Sequence, residues 1–414
     1  MHMTYTVPHY YEQPYTKTLR ATVVAVDTYK GKPAVILDTT ICYPEGGGQP
    51  GDQGFLDANA IVDTVKDEQG HIYHLLNDNP SYVAGDVVTV SLDWEHRYDY
   101  MQQHTAQHLL SGALFRLFGI STVSVHLGHD ELSIEVDTQE MTDTMIDELE
   151  DEVNGAIRSN VPVLASIVTQ EKAQQLGLRR TIKVSGDVRI IQIGAYDTIA
   201  CGGIHVGNTG ELELIQAIKQ ETIRGHVRTF WIAGRRAVHT VRKNRTMIKE
   251  LGALLSAPPS EIVEAVSQVQ TQLADARYQQ GELAEQLAHL RLAAAVHSSE
   301  RYTDVPLVFL DASDWSELEY AQLPQALFAY EHILLCAVRT RSDGRLNWMI
   351  AQKGISDDPK WFQMIRREAL GLIDGKGGGK PPLWQGIGEN AAQKEVFMKK
   401  IEDLVLGSNH GRSR

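Results

Sequence analysis

The feature that most constrains this chain is a pair of histidines four residues apart, His104 and His108 in MQQHTAQHLLSGALF. About a hundred residues later a second pair follows, Cys201 and His205 in ACGGIHVG. Positions i and i+4 of an α-helix lie one above the other on one face, so both imidazoles can aim at one point. The second pair offers a thiolate and an imidazole across a glycine-rich turn short enough to aim both at that point. A chain that uses all four must collapse so that a helix meets a distant strand-turn segment. Three imidazoles and one thiolate suit Zn²⁺, a borderline-soft ion that takes nitrogen and sulfur ligands tetrahedrally. Thr105 stands where the H-E-x-x-H motif of zinc proteases carries its glutamate, which argues against a peptidase. A purely structural zinc is equally compatible with four protein donors, because they close the coordination sphere.

The length of 414 residues favours two to four domains with substantial cores. No stretch approaches the ~20 uninterrupted apolar residues of a membrane-spanning helix. The start, MHMTYTVPHYYEQPY, lacks the basic-then-apolar order of a signal peptide. Cys42, Cys201 and Cys336 are the only cysteines, which argues against a disulfide framework and for a reducing, cytoplasmic setting. A net charge of −14 argues against a general affinity for nucleic acid, yet the charge is unevenly spread. Residues 137–152 hold eight acids and no base, whereas residues 221–250 hold eight Lys or Arg against two acids. The acidic run reads as a solvated helix face. The basic run is open to two readings, a solvated surface or contact with a phosphate backbone.

Residues 18–93 read as β-structure. TLRATVVAVD, PAVILDTT, NAIVDTVKDEQGHIYHLL and DVVTVSLDW are short β-branched runs separated by turn residues, a pattern of small barrels and sandwiches. Between the second and third lies CYPEGGGQPGDQG, read as a plain loop or as a place of close ligand approach. Helices are expected at 97–118 and 142–159, the latter capped by Thr142, among antiparallel strands that make an α+β domain. Ile262, Val266, Val269, Leu273, Ala276, Gln280, Leu283, Leu287, Leu290 and Ala294 recur at steps of four and three, a heptad seam. The seam fits a helix folded back on its own domain or a homodimer through residues 260–294. Beyond Thr303 the strands VPLVFLD, HILLCAVRT and LNWMIAQK and helices at 316–328, 359–370 and 393–406 predict a separate α/β domain. Between the last two helices, Lys376 and Lys380 flank three glycines in DGKGGGKPPLWQG; phosphate or RNA-backbone contact and a flexible loop are both open. The complete P-loop pattern is missing, so nucleotide hydrolysis is not indicated.

PEGGGQPGDQG, HTAQHLL, ACGGIHVG and GKGGGKPPLWQG together resemble the alanyl-tRNA editing proteins, the long form of the AlaX family. They also resemble the editing and C-terminal regions of alanyl-tRNA synthetase. Threonyl-tRNA editing domains have a similar H-x3-H and C-x3-H core without the glycine-rich elements. The resemblance implies His104, His108, Cys201 and His205 as zinc ligands. It places Gly46, Gly47, Gly48 and Gln49 near the editing pocket and the heptad segment in dimerisation. The implied organisation is an N-terminal β-barrel (1–93), a zinc-dependent α+β editing domain (94–240), a helical coiled-coil segment (241–302) and a tRNA-contacting C-terminal α/β domain (303–414). Two departures stand out: Ile204 replaces the threonine common in the family's CGG-T-H segment, and VSVHLG differs from the synthetase's polar pocket segment.

The expected activity is therefore hydrolysis, in trans, of the ester of tRNA-Ala mischarged with serine or glycine. Thr105 is a candidate polar contact in the pocket, or else a threonine making only local bonds. Lys376 and Lys380 are candidate RNA contacts. Two alternatives remain beside this, a zinc-stabilised RNA-binding protein without catalysis and a zinc hydrolase of a small ester or amide.

Overall fold

The computed structural model describes residues 6–179, 186–302, 304–354 and 360–407. The chain forms two compact units, Met1–Leu251 and Gly252–Arg414, so the division falls inside the expected helical segment. The fold class is mixed α+β.

In the first unit, β1 (Thr18–Tyr29), β2 (Lys32–Leu37), β3 (Gly54–Leu56), β4 (Asn59–Lys66), β5 (Ile72–Leu76) and β6 (Val87–Leu92) close into a barrel in the order β1-β2-β5-β4-β3-β6. Its interior is filled by the branched side chains that mark these runs in the sequence, among them Val23, Val35, Leu37, Leu56, Ile61, Leu76 and Val90. One histidine, His74, is wholly buried here, with Nε2 2.7 Å from the Thr40 hydroxyl and Nδ1 3.0 Å from the Val35 carbonyl. Burial keeps its ring neutral, pulling its pKa from 6.5 to about 4.

Asp93 caps the next element, α1 (Trp94–Phe118), by accepting from the His96 amide. The helix is buried around most of its circumference, polar residues included. Each of these has a partner, as burial demands. Gln103 exchanges two hydrogen bonds with the backbone of Ala233, and Gln102 donates to the Glu211 carbonyl. Arg97 is fully buried against Asp52, and also donates to the carbonyls of Ile41 and Pro14. Asp52 in turn accepts from the Tyr43 amide. This buried pair clamps the base of the loop between β2 and β3 onto α1.

Around α1 lie α2 (Asp143–Arg158), with Thr142 as its cap, and two antiparallel sheets. One contains β7 (Thr122–Leu127), β8 (Leu132–Val136), β12 (Ile215–Ile223) and β13 (His226–Ala233) in the order β12-β13-β8-β7. The other runs β9 (Val163–Val168), β10 (Val188–Ile193), β11 (Asp197–Ala200). A helix α3 (Arg235–Leu255) follows.

The second unit opens with α4 (Ile262–Ser298) and a six-stranded sheet. Its strands are β14 (Glu300–Tyr302), β15 (Val305–Asp311), β16 (Ile333–Thr340), β17 (Leu346–Lys353), β18 (Gly375–Lys380) and β19 (Leu383–Gly388), ordered β14-β15-β16-β17-β19-β18. Both faces are covered, which is why ILLCAV reads as an unbroken apolar run: Leu334, Cys336 and Val338 enter one core and Ile333, Leu335 and Ala337 the other.

In this unit the helices differ in detail from the sequence reading. The heptad seam is not the face that α4 buries: Ala284, Ala288 and Leu292 are buried, the last two in a core shared with Trp315, Tyr320, Leu323 and Val308, while Leu273, Leu283, Leu287 and Leu290 stay exposed. The single helix expected at 316–328 is broken into Glu317–Ala321 and Leu323–Ala326 around Pro324, whose ring has no amide hydrogen to continue the first helix. The helix expected from Pro359 is Lys360–Glu368 as described, and Pro359, like Thr303, lies outside the described residues.

Lys376-Gly-Gly-Gly-Lys380 is not a flexible loop but lies in the edge strand β18. The indole of Trp348 lies beneath it, and a Cβ on Gly377 or on the paired Gly386 would collide with that ring. Packing thus accounts for Gly377, though a Cβ on Gly378 would meet open space, and Lys376 and Lys380 are exposed on the same side of the strand. Among the described residues, no helix is long and apolar enough to cross a membrane.

Candidate metal centre

The middle of α1 faces the turn that follows β11. His104, His108, Cys201 and His205 meet there, each offering a ligand atom within 4.8 Å of all the others. The Cys201 sulfur lies 3.4 Å from Nε2 of His104 and 3.5 Å from Nε2 of His205. In a tetrahedral zinc site with bonds of ~2.0–2.3 Å, neighbouring donors stand roughly 3.3–3.6 Å apart, so these two spacings match a metal shell and the whole set lies close to one. The three rings are almost fully buried, and Cys201 is the partly exposed member.

Each imidazole is oriented through its other nitrogen. Nδ1 of His104 is 2.8 Å from Oε1 of Gln49, Nδ1 of His108 is 3.2 Å from the Asp197 carboxylate, and Nδ1 of His205 is 3.1 Å from the Thr105 hydroxyl. An acceptor at every Nδ1 favours the tautomer with its proton there and the Nε2 lone pair turned inward, the arrangement of ligating histidines. Asp197 is itself held by Arg179 through two hydrogen bonds. Burial opposes the Asp197 charge, but His108 and Arg179 outweigh it and keep the carboxyl ionised.

The electrostatics suit a cation. Burial works against a thiolate at Cys201, but the neighbouring His104 and His108 outweigh it and hold its pKa well below that of a free thiol. For His108, burial disfavours the charged ring, and Cys201 followed by Asp197 overcomes that and raises its pKa to about 9. Burial, reinforced by His104, lowers His205 to about 3. The cluster thus gathers an anionic sulfur and three imidazoles in a confined space, and can hold a divalent metal, whose binding would displace the proton that Cys201 and Asp197 favour on His108.

The residues expected in the pocket take distinct places. Gly47 and Gly48, at φ +61° and +84°, are the two central residues of a tight hairpin closed by reciprocal backbone bonds between Gly46 and Gln49. A type I′ turn requires such angles at both positions, which glycine reaches without strain. The turn tip is exposed, and Gln49 is the buried residue that reaches the site, accepting from His104 and from the Ile204 amide at 3.0 Å. Thr105 is buried, and its hydroxyl donates to Met101 while accepting from the Val206 amide, so it supports His205 and the turn rather than lining open space. Lys376 and Lys380 belong to the second unit, on β18.

Four supporting residues escaped the sequence reading, namely Asp197, Arg179, Arg189 and Tyr11. Arg189 donates to the carbonyls of Cys201 and Gly203 at 2.9 and 2.7 Å, and the Tyr11 hydroxyl donates to that of Gly202 at 3.0 Å. The guanidinium also lies 4.8 Å over the Tyr11 ring. Every carbonyl of the CGG turn is thereby tied down. Gly203 permits this geometry, since a Cβ there would overlap the His104 ring.

Two stretches of the chain, one over the barrel and one around the Cys201–His205 turn, match models of synthetase domains. Residues 11–96 match the model of tRNA synthetases class II (A), and residues 188–228, which include Cys201 and His205, match that of the threonyl and alanyl tRNA synthetase second additional domain. More particularly, the chain is similar to the alanyl-tRNA editing protein AlaX-L of Pyrococcus horikoshii, with 29% identity across 95% of this chain and 97% of that one. It is also similar to the alanyl-tRNA editing protein Aarsd1-A of Xenopus laevis, with 27% identity across 90% and 89%. The resemblance to the alanyl-tRNA editing family read from the motifs therefore holds over nearly the whole chain. A solved C-Ala domain of Aquifex aeolicus alanyl-tRNA synthetase aligns with 26% of this chain and 96% of its own, at 16% identity and a TM-score of 0.22, too slight a likeness to carry a conclusion.

Proposed function

We propose that this chain is a zinc-dependent deacylase that hydrolyses, in trans, the ester joining serine, or glycine, to the terminal ribose of tRNA-Ala. The observation that carries this reading is the convergence of His104, His108, Cys201 and His205, with a separate hydrogen-bond acceptor behind each imidazole. The full-length similarity to proteins named for alanyl-tRNA editing supports it. Water enters and the ester C–O bond breaks, giving the free amino acid and the ribose hydroxyl, so atoms balance without a further reactant. Zinc held by the four residues supplies a positive centre for an aminoacyl ester, which is already an activated bond. The chain's own part is placement. Gln49, Thr105 and Asp197 fix the rings, while Arg189 and Tyr11 fix the turn. Substrate approaches from the side of Cys201, the partly exposed ligand.

Discrimination between seryl and alanyl esters rests on the serine hydroxyl, because a site built to bond it leaves polar groups unpaired when alanine is bound. In this reading Lys376 and Lys380 contact the tRNA backbone, a second copy covers the exposed seam of α4, and the protein works in the cytoplasm. The test compares release of serine and of alanine from charged tRNA-Ala by wild type and His108→Ala. Selective serine release that is lost in the variant is the expected result. Equal release of both amino acids overturns the editing reading, and metal-loaded protein that cleaves neither ester points to an RNA-binding protein without catalysis.

A further inference from the structure

The helix α3 carries a charge pattern that the candidate metal centre does not use. Its sequence RRAVHTVRKNRTMIKELGALL has six basic residues and a single acid, Glu250, in a chain with a net charge of −14. The first two are spoken for. Arg235 pairs with Glu95, and Arg236 pairs with Asp99 of α1 and donates to the Gly128 carbonyl. From Arg242 onward the pairing stops. Arg242, Lys243, Arg245 and Lys249 are exposed and have no carboxylate partner among the described residues.

Three of these four share a face. At 100° per residue, Arg242, Arg245 and Lys249 fall with Arg235 and His239 within one sector of the helix, so Arg235, Arg242 and Lys249 recur two turns apart, roughly 10 Å each step along the axis. At its N-terminal end this stripe opens into a cleft of about 530 Å³ lined by Tyr98, Glu213, Arg235, Val238, His239 and Arg242. Like charges held in a row repel one another, and in so acidic a chain they have many carboxylates to choose from. In water that repulsion is modest, but an unpaired row of cations projects a positive field that attracts an anion of matching periodicity.

We infer that this face of α3 is a docking surface for the phosphate backbone of the RNA substrate. Charge complementarity selects a polyanion, and the linear repeat selects a backbone over a single phosphate. The link through Arg236 and Asp99 adds a geometric reason. Asp99 lies on α1 five residues before His104, so an RNA strand held along α3 is rigidly indexed to the helix that carries two of the clustered histidines. The inference rests on the reading that the substrate is an aminoacyl-RNA, and it names the part of the protein that grips it.

The test uses the full chain, wild type and R242E/R245E/K249E, with three probes: uncharged tRNA, seryl-tRNA-Ala and a serine ester of adenosine that lacks a polynucleotide backbone. All three positions are solvent-exposed, so the variant retains its melting temperature. Expected are a loss of at least about tenfold in tRNA affinity at 0.15 M salt and a fall of roughly two to three in the slope of log affinity against log salt. Cleavage of the adenosine ester stays unchanged while cleavage of seryl-tRNA-Ala falls. Unaltered tRNA affinity and salt slope, with wild type cleaving seryl-tRNA-Ala, overturn the docking surface and leave the proposed activity standing. Binding of tRNA that depends on the stripe, in a wild type that cleaves neither ester, overturns the activity and leaves the surface. A variant that binds tRNA normally but changes its sedimentation assigns the stripe to a protein partner instead, and ends the inference.

Discussion

The side-chain oxygen of Gln49, on a hairpin that projects from the barrel, lies 2.8 Å from Nδ1 of His104 in the middle of α1. One amide oxygen thereby links the glycine-rich turn to the four-residue cluster, and it also accepts from the Ile204 amide of the CGG turn. Gln49→Ala should weaken zinc binding by roughly 10- to 100-fold, the usual effect of removing a group that orients a ligating histidine. A chelator competition measures this. Zinc affinity equal to wild type would show that His104 is oriented without Gln49.

Removing the metal should loosen the first unit. Ligand binding to the folded state alone stabilises it by mass action, about 4 kcal/mol at a thousandfold excess over Kd. Chelation should therefore lower the melting temperature of wild type. His205→Ala should melt low from the start and respond little to chelator. Calorimetry with and without chelator decides this, and an unchanged wild-type melting temperature would argue against a metal at these four residues.

His74 gives the barrel a pH dependence of definite sign. Its folded pKa of about 4 lies below the 6.5 of the unfolded chain. The unfolded state therefore binds the proton more readily, and stability is complete above pH 6.5 and declines as pH falls toward 4. Across that interval the loss attributable to this ring is on the order of 3 kcal/mol. Urea titrations of wild type and His74→Gln at pH 7 and pH 5 should differ in slope against pH, with the variant flatter. Parallel profiles would mean that the ring is not held neutral.

Arg97→Met leaves Asp52 charged, buried and unpaired, at a cost of roughly 3–5 kcal/mol. Adding Asp52→Asn should restore part of the loss, since the stranded charge rather than the missing attraction dominates. Denaturant midpoints of the single and double variants check this, and a double variant no more stable than Arg97→Met alone would contradict it.

Gly377→Ala tests the reading of the lysine-glycine run as an edge strand packed over Trp348. The added methyl should cost about 1–3 kcal/mol and shift the indole emission. A neutral substitution with unchanged fluorescence would contradict the packing of this strand over Trp348.

Much of the first unit was readable because periodicity and burial agree there. The barrel strands appear as separate β-branched runs, and the i, i+4 histidines need only helical geometry to converge. What could not be read were contacts that depend on where distant segments meet. Asp197 looks like any acid four residues before a cysteine, and its service to His108 arises only once β11 lies against α1. Arg97 and Asp52 are 45 residues apart with no spacing rule to connect them. The lysine-glycine run misled for a different reason. Glycine serves a tight backbone approach and a flexible loop equally well, and only the Trp348 ring beneath the strand distinguishes them. In α4 a regular heptad drew attention from the alanines one position further round, Ala284 and Ala288, which are the buried ones.

The three cysteines divide sharply. Cys42 and Cys336 are sealed inside their cores, where burial pushes their thiols up to about 12, whereas Cys201 is partly open to solvent. An alkylating reagent applied to the folded protein thus counts a single sulfur, and counts it only while no ion occupies that sulfur's lone pairs. A colour reaction in a cuvette becomes a direct titration of how full the cluster is.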